Sequence, residues 1–188
     1  RQSSAASDVY KRQGKDIINF HALFWPSMLK SAGIRLPTKI CVHGFVTING
    51  LKMSKSRGTF ILARDYLDNL DPDFLRYYYA CKLSNSAEDL DLNLEDFVQK
   101  INSDLVGKVV NLASRCSKFI TKGNDGYLHS EIDDKELWNI FSQSATTISE
   151  NYENRNFSKA TKEIIKLTDL ANEYISDKQP WVLNKEHD

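Results

Sequence analysis

The segment from Ile40 to Gly58 most constrains what this chain can fold into. Its first half favours a β-strand and ends at Asn49-Gly50, the strongest short hairpin signal. A helical pattern, Asp16 to Gly33, precedes it, with apolar residues near helical spacing and Pro37 beyond its end. A helix followed by a buried strand predicts the closing unit of a doubly wound α/β domain, where ligands bind at the carboxyl ends of strands.

A lysine-rich turn follows this strand. Lys52 and Lys55 alternate with the hydroxyls of Ser54 and Ser56, and Gly50 and Gly58 flank the turn. When a carboxylate attacks the α-phosphate of ATP, charge builds on the departing pyrophosphate, and lysines placed there stabilise the transition state more than the ground state. We therefore predict a phosphate-binding turn with Lys55 as its principal charge, Lys52 beside it and the serines as neutral donors. A solvated basic turn is the alternative that these residues alone leave open.

The composition indicates a globular chain and restricts its class. With 188 residues, of which 41% are apolar, it can bury a core, and 25 basic residues balance 25 acidic ones. This neutrality excludes an overall electrostatic footprint for nucleic acid, so RNA contacts would need local clusters. Cysteines 41, 81 and 116 have neither disulfide nor zinc-ligand spacing. We predict a cytoplasmic protein with no metal site in this chain, no disulfide partner and no membrane segment.

The rest of the chain is predicted to be mainly helical. One helix covers Ala63 to Leu70, and Asp71-Pro72-Asp73 opens another with a capping aspartate and a proline at the first helical position. Ser84 to Asp91 is predicted to be a loop or irregular connector. From Asn93 onward the pattern indicates three longer helices of a bundle, whose apolar stripes comprise Leu94 to Phe119 (closed by Gly123), Leu137 to Tyr152, and Ile164 to Ile175 before Pro180.

Several side chains admit both a structural and a functional interpretation. Phe20, His21 and Trp25 lie on the aromatic face of the first helix, where packing is the ordinary role. Asn111 and Arg115, four residues apart, share a helix face that could read a base edge or be merely solvated. Trp181, directly after Pro180, could plug the core or stack on an unpaired base.

Lys52-Met53-Ser54-Lys55-Ser56 is identical to the second signature of class I aminoacyl-tRNA synthetases, and its surroundings resemble methionyl-tRNA synthetases. The resemblance covers about residue 14 to the end. Its further segments are Gly14 to Pro26, Leu75 to Tyr79, Asp91 to Phe97 and Asn111 to Arg115. Residues 1–13 are unlike the family; an upstream junction, a tag or an assembly artefact would explain them, and we exclude them from the fold.

The resemblance implies a role for each motif. Gly14 and Asp16 would approach the ATP ribose, and backbone groups near His43-Gly44-Phe45-Val46 would recognise adenine. The methionine side chain would lie among aromatic walls, which suit a thioether. The complete site implied comprises catalytic Lys52 and Lys55; ATP-binding Gly14, Asp16, His43, Gly44, Val46, Lys52, Ser54, Lys55 and Ser56; methionine-pocket Phe20, His21 and Trp25; and anticodon-binding Asn111, Arg115 and Trp181.

The implied protein is a methionine–tRNA ligase fragment that uses ATP and Mg²⁺ and binds methionine and tRNA(Met). Its fold class is α/β followed by all-α. We expect residues 14–62 to form the C-terminal part of a Rossmann-type catalytic domain, 63–97 a small connecting fold, and 98–188 a truncated anticodon-binding bundle.

The first class I signature and any zinc site would lie in a missing N-terminal part, so the fragment alone should be inactive. Alternatives are a class I synthetase for leucine, isoleucine, valine or cysteine, and a non-catalytic tRNA-binding module.

Overall fold

The computed structural model describes residues 10–54, 58–123, 126–128 and 130–183, which divide into two compact units. The first unit comprises the described residues up to Asn69 together with Lys82–Leu94. The second comprises Leu70–Cys81 and the described residues from Glu95 onward. Within the described residues, no helix is both long and apolar enough to cross a membrane.

The first unit contains two small sheets. Strand β1 (Tyr10–Gly14) pairs in parallel with β2 (Lys39–His43). In the second sheet β3 (Val46–Ile48) lies between β4 (Leu51–Lys52), its antiparallel partner, and β5 (Leu90–Leu92), which runs parallel to it. The core of this unit consists of the buried side chains of Ile48, Leu90 and Leu92.

The single strand predicted between Ile40 and Ile48 is two strands in different sheets. The predicted strand is interrupted at Gly44. A Cβ added at this residue would lie 2.0 Å from the carbonyl oxygen of Glu88, so only glycine permits this close approach. The hairpin prediction is confirmed. Asn49 (φ 48°) and Gly50 (φ 74°) both have positive φ, as a two-residue type I′ turn between Ile48 and Leu51 requires.

Strand β5 corrects the prediction that Ser84 to Asp91 is wholly a loop or irregular connector. Leu90 and Asp91 are already in the strand, which is only three residues long. Leu90 and Leu92 are buried on one side of it, while the Asp91 side chain bonds to the neighbouring hairpin. Because the surrounding residues are polar, this short alternation does not stand out in the sequence.

Strand β1 begins inside the leader that we excluded from the fold. Residues 10–13 are backbone partners of residues 39–42 in the parallel sheet. The strand therefore starts earlier than expected, because β2 pairs with these residues.

The helical segment predicted from Asp16 to Gly33 changes type along its length. It consists of a 3₁₀ turn (Lys15–Ile17), a π-helix (Phe20–Phe24) and helix α1 (Trp25–Ser31). Pro26 has no N–H to donate, and the Trp25 N–H donates to the Phe20 carbonyl oxygen five residues back. Gly33, with φ 69°, follows the end of α1. The remaining helix of this unit among the described residues is α2 (Ala63–Leu67).

The second unit is helical, as predicted. Tyr78 is fully buried, with its ring 5.4 Å from that of Phe97 in an edge-on arrangement. Its helices are α3 (Pro72–Lys82), α4 (Leu94–Lys100), a π-helix (Ile101–Val110), α5 (Asn111–Gly123), α6 (Lys135–Glu153), α7 (Phe157–Lys178) and α8 (Pro180–Leu183), of which α3 and α4 each extend into the first unit by one residue. The long helix predicted from Leu94 to Gly123 is confirmed, but its central π-helical stretch was not predicted.

Candidate functional site

The two parallel strands bring predicted nucleotide-binding positions together at their carboxyl ends. Gly14 and His43 are register partners, and each is the last residue of its strand. Gly44 directly follows His43, and Asp16, exposed in the 3₁₀ turn, lies two residues after Gly14. Carboxyl ends of adjacent parallel strands are where α/β sheets bind ligands. The His43 Nδ1 lies 2.8 Å from the Gly44 carbonyl oxygen, so this ring nitrogen hydrogen-bonds to the backbone of the next residue.

A cluster around Phe45, consisting of Lys15, Phe45, Lys52 and Asp89, adds cations beside these positions. The Lys15 Nζ lies 2.5 Å from Asp89 Oδ1 and 4.7 Å from the Phe45 ring centroid. The Lys52 Nζ lies 5.8 Å from the same centroid. The Phe45 N–H donates to Asp89 Oδ1 (2.8 Å), and the hydrogen bonds from Lys15 and Phe45 lower the pKa of Asp89. The ammonium groups of Lys15 and Lys52 therefore both make cation–π contacts with the Phe45 ring.

The lysine-rich turn is closed at its ends by Thr59. The Ser54 N–H donates to Thr59 Oγ1 (3.1 Å), the Thr59 hydroxyl donates to the Lys52 carbonyl oxygen (3.0 Å), and the Thr59 N–H donates to the Ser54 carbonyl oxygen (3.2 Å). Lys55 and Ser56 lie outside the described residues. Thr59 was not identified from the sequence, since its side-chain bonds depend on the turn's three-dimensional path.

Asp91 fixes the hairpin that leads into this turn. Its Oδ1 accepts hydrogen bonds from the Thr47 hydroxyl (2.6 Å) and the Gly50 N–H (2.7 Å). These bonds lower the pKa of the Asp91 carboxyl. Asn49 makes a further contact that holds the hairpin, because its Oδ1 accepts a hydrogen bond from the Leu94 N–H (3.2 Å). The position of Lys52, two residues after Gly50, therefore depends on a carboxylate from a distant strand.

The aromatic residues predicted to surround methionine form two ring pairs. The His21 ring lies 6.1 Å from Trp25, and Phe20 lies 5.7 Å from Phe24. His21 Nδ1 is 3.2 Å from the Ile17 carbonyl oxygen, within its own helix. Phe20 and Phe24 are each 61% exposed, so this face is not core among the described residues.

In the second unit, Arg115 and Trp181 are in contact. The Arg115 guanidinium carbon lies 5.0 Å from the Trp181 ring, and Nη2 donates to the Ser176 hydroxyl oxygen (3.1 Å). Helix α7 ends at Lys178. Its C-cap residue Gln179, with a left-handed φ of 47°, redirects the chain, and α8 then begins at Pro180 and carries Trp181. Asn111 is exposed at the start of α5, one turn before Arg115.

A buried carboxylate network supports this unit and was not predicted. Asp104, only 5% exposed, accepts hydrogen bonds from Lys100 (2.7 Å) and Tyr77 (2.6 Å). Burial alone would raise the pKa of Asp104, but the bonds from Lys100 and Tyr77 outweigh it and lower that pKa. Burial and Asp104 raise the pKa of Tyr77. The three groups flank a cavity of about 190 Å³.

Metal-ligand chemistry is not apparent in the described part of the chain. It contains no group of three or more His, Cys, Asp or Glu residues placed to hold a metal ion. Cys41, Cys81 and Cys116 are free thiols.

Comparison with known proteins identifies the same family along most of the chain. The family model described as tRNA synthetases class I (M) matches residues 2–117, beginning inside the leader that we expected to be unlike the family. Mycobacterium tuberculosis methionyl-tRNA synthetase in complex with methionyl-adenylate is 34% identical over 94% of this chain, with a TM-score of 0.85. The free form of the same enzyme is 31% identical, also over 94%, with a TM-score of 0.79.

The chain covers 35% and 34% of those two proteins, respectively. It therefore spans about a third of the length of each enzyme that it resembles.

Proposed function

Since the chain belongs to the methionyl-tRNA synthetase family of class I tRNA synthetases, we propose that it is part of a methionine–tRNA ligase. In this proposal the first unit supplies the phosphate-binding turn and part of the ATP and methionine sites. The second unit supplies the anticodon-binding helices.

The observation that carries this proposal is the pairing of Gly14 with His43 at the carboxyl ends of β1 and β2, beside the cations of the Phe45 cluster. Asp16 would accept hydrogen bonds from the ribose hydroxyls, and Gly14 would allow the sugar to approach the backbone. Backbone groups of His43, Gly44 and Val46 would recognise adenine. Lys52 enters the same site from the end of the hairpin.

The proposed reaction is the ATP-dependent activation of methionine, followed by its transfer to tRNA. A methionine carboxylate oxygen attacks the α-phosphorus of ATP, the bond to the bridging oxygen breaks, and pyrophosphate leaves with its electron pair. Lys55, assisted by Lys52 and the hydroxyls of Ser54 and Ser56, would stabilise the charge that develops on pyrophosphate. No side chain needs to act as general acid or base, because positioning and electrostatics supply the acceleration. The methionyl group then passes to a ribose hydroxyl of tRNA(Met), releasing AMP.

Magnesium would arrive with ATP. Mg²⁺ ordinarily retains water and binds through substrate phosphates instead of an all-protein cage. The ion would supply positive charge at the phosphates, next to the lysine-rich turn.

The methionine side chain would pack against the aromatic face of the first helical segment. Trp25 and His21 form one adjacent ring pair, and Phe20 lies one turn away with its ring exposed. A thioether packs favourably against ring edges, which suits this set of side chains.

Anticodon recognition is proposed for Asn111, Arg115 and Trp181. The Trp181 ring is 38% exposed and has a guanidinium beside it, which suits a stacking platform for an unpaired base. Asn111 is exposed one turn from Arg115 and could hydrogen-bond a base edge. CAU is the anticodon that these residues would read.

The proposed chemistry is tested by methionine-dependent ATP–pyrophosphate exchange in the longer enzyme that includes this chain. We expect Lys55→Ala to slow adenylate formation about 100- to 1,000-fold while methionine affinity stays near its original value. Lys30→Ala, at an exposed lysine of α1, is the matched control and should retain full activity.

Equal loss of ground-state ATP affinity with an unchanged chemical rate would contradict the role of Lys55. Absence of exchange in the unaltered enzyme, with tRNA binding retained, would favour the non-catalytic tRNA-binding module. The 188-residue chain by itself is expected to show no exchange, because it spans about a third of the matched enzymes.

A further inference from the structure

Two residues of α7 contact the long helix from Leu94 to Gly123: Asn172 bonds to Lys108 in its π-helical stretch, and Ser176 bonds to Arg115 in α5. We propose that they are positioning residues for the anticodon site, which hold the Arg115 guanidinium against Trp181. This inference rests on the proposed function and assigns the geometry of that site to a second helix.

Ser176 determines where the Arg115 guanidinium lies. The single proton of the Ser176 hydroxyl is donated to the Asn172 carbonyl oxygen one turn earlier (2.8 Å). The oxygen's lone pairs are then available to Arg115, whose Nη2 donates to it at 3.1 Å. Held in this way, the guanidinium lies 5.0 Å from the Trp181 ring centroid.

The consequence is that Arg115 and Trp181 form a pre-positioned pair. A guanidinium bonded to Ser176 and placed against Trp181 is already engaged before RNA binds. It restricts the ring by a cation–π contact, and the ring, still 38% exposed, keeps surface on which a base can stack. The bond to Ser176 uses one guanidinium N–H, and the remaining N–H groups, like the Asn111 amide, can still donate to a base edge.

Asn172 acts one turn earlier, where the long helix changes from π to α. Its Nδ2 donates to the Lys108 carbonyl oxygen (3.2 Å), which also accepts the Asn111 backbone N–H. The Lys108 Nζ lies 2.7 Å from Asp169 Oδ2, so α7 holds this junction through two side chains. Because a π-helical turn contains more residues than an α-helical one, the point where it ends sets the direction in which Asn111 and Arg115 face.

Global stability should depend little on Asn172. Its Nδ2 makes two bonds, to the carbonyl oxygens of Lys108 and Thr168, but its Oδ1 is buried without a partner among the described residues. Truncation to alanine removes the two hydrogen bonds, which destabilises the fold, and also removes the buried unpaired acceptor, which stabilises it, so the two effects oppose each other. A change in RNA selectivity can therefore be separated from a loss of folding.

The test measures binding of the 188-residue chain to two synthetic anticodon stem-loops, one with CAU and one with a single changed anticodon base. We expect Ser176→Ala to lower the preference for CAU about three- to ten-fold, as loss of one hydrogen bond would, and Ser176→Thr to restore it. Asn172→Ala should also lower it. Two control substitutions should leave the preference unchanged. They are Ser142→Ala, at an exposed serine of α6, and Asn151→Ala, whose side-chain Nδ2 donates to the Thr147 carbonyl oxygen of its own helix.

The salt dependence of binding should stay the same in all variants, because no phosphate contact is removed. An unchanged preference in Ser176→Ala, or a Ser176→Thr variant that fails like alanine, would overturn the inference. If Trp181→Ala loses the preference while Ser176→Ala and Asn172→Ala keep it, only the positioning role is wrong. If the unaltered chain shows no preference, or Trp181→Ala keeps it, the anticodon proposal fails and this inference with it.

Discussion

Replacing Asp91 with alanine should loosen the hairpin that leads to the lysine-rich turn. The substitution removes two short hydrogen bonds to one ionised carboxylate, from the Thr47 hydroxyl and the Gly50 N–H. Bonds to charged groups contribute about 1.5–3 kcal/mol each when buried, but solvent screens this half-buried side chain. We therefore expect a local loss of about 1–2 kcal/mol.

Amide hydrogen exchange at Gly50 measures this loss directly. A change of about 1–2 kcal/mol corresponds to exchange that is about 5- to 30-fold faster if the hairpin opens locally. Asp91→Asn keeps a neutral acceptor in place and should fall between the alanine variant and the original protein. Asp68→Ala, which removes an exposed carboxylate at the end of α2 in the same unit, is the control.

Unchanged exchange at Gly50 in Asp91→Ala would refute the reasoning, because the hairpin would then hold its turn without the carboxylate. Equal acceleration in Asp68→Ala would also refute it, because the effect would then be general to acidic residues of this unit.

Two further predictions concern the buried carboxylate and the aromatic pair. Asp104→Asn should lower the free energy of unfolding by about 1–3 kcal/mol at pH 7. The pKa of Asp104 is lowered in the folded chain, so this difference in unfolding free energy should have its full value above about pH 4 and shrink at lower pH. Urea titrations at several pH values measure it, and a difference that stays constant with pH would contradict the prediction. Trp25→Ala in the longer enzyme should weaken methionine binding by about 1–3 kcal/mol, measured by calorimetry, and an unchanged affinity in folded protein would return Trp25 to a packing role.

Features encoded by local chemistry could be predicted from the sequence. Asn49-Gly50 specifies its turn because these two residues tolerate positive φ, and the structure has that turn at that place. The long helix ending at Gly123 follows from a sustained apolar stripe. No spacing in the sequence indicates that Gly14 pairs with His43, and only the family resemblance assigned both residues to one ligand.

Features that depend on distant partners could not be predicted. Asp91 lies 44 residues from Thr47, and Ser176 lies 61 residues from Arg115, so no local pattern connects them. Strand β5 is too short for its alternation to stand out from the polar connector before it. The π-helical stretch before Asn111 has the same apolar spacing as an α-helix to within one residue, and the sequence does not distinguish them.

The most direct test of the proposed anticodon-binding role compares aminoacylation of tRNA(Met) with that of a transcript carrying a changed anticodon, in the longer enzyme with and without Trp181→Ala. We expect the substitution to remove about 1–3 kcal/mol of discrimination for CAU, because a stacking platform is lost. Adenylate formation should be unaffected, because Trp181 belongs to a different unit from the lysine-rich turn. A discrimination ratio equal to that of the unaltered enzyme would contradict the proposal that this helical unit reads the anticodon.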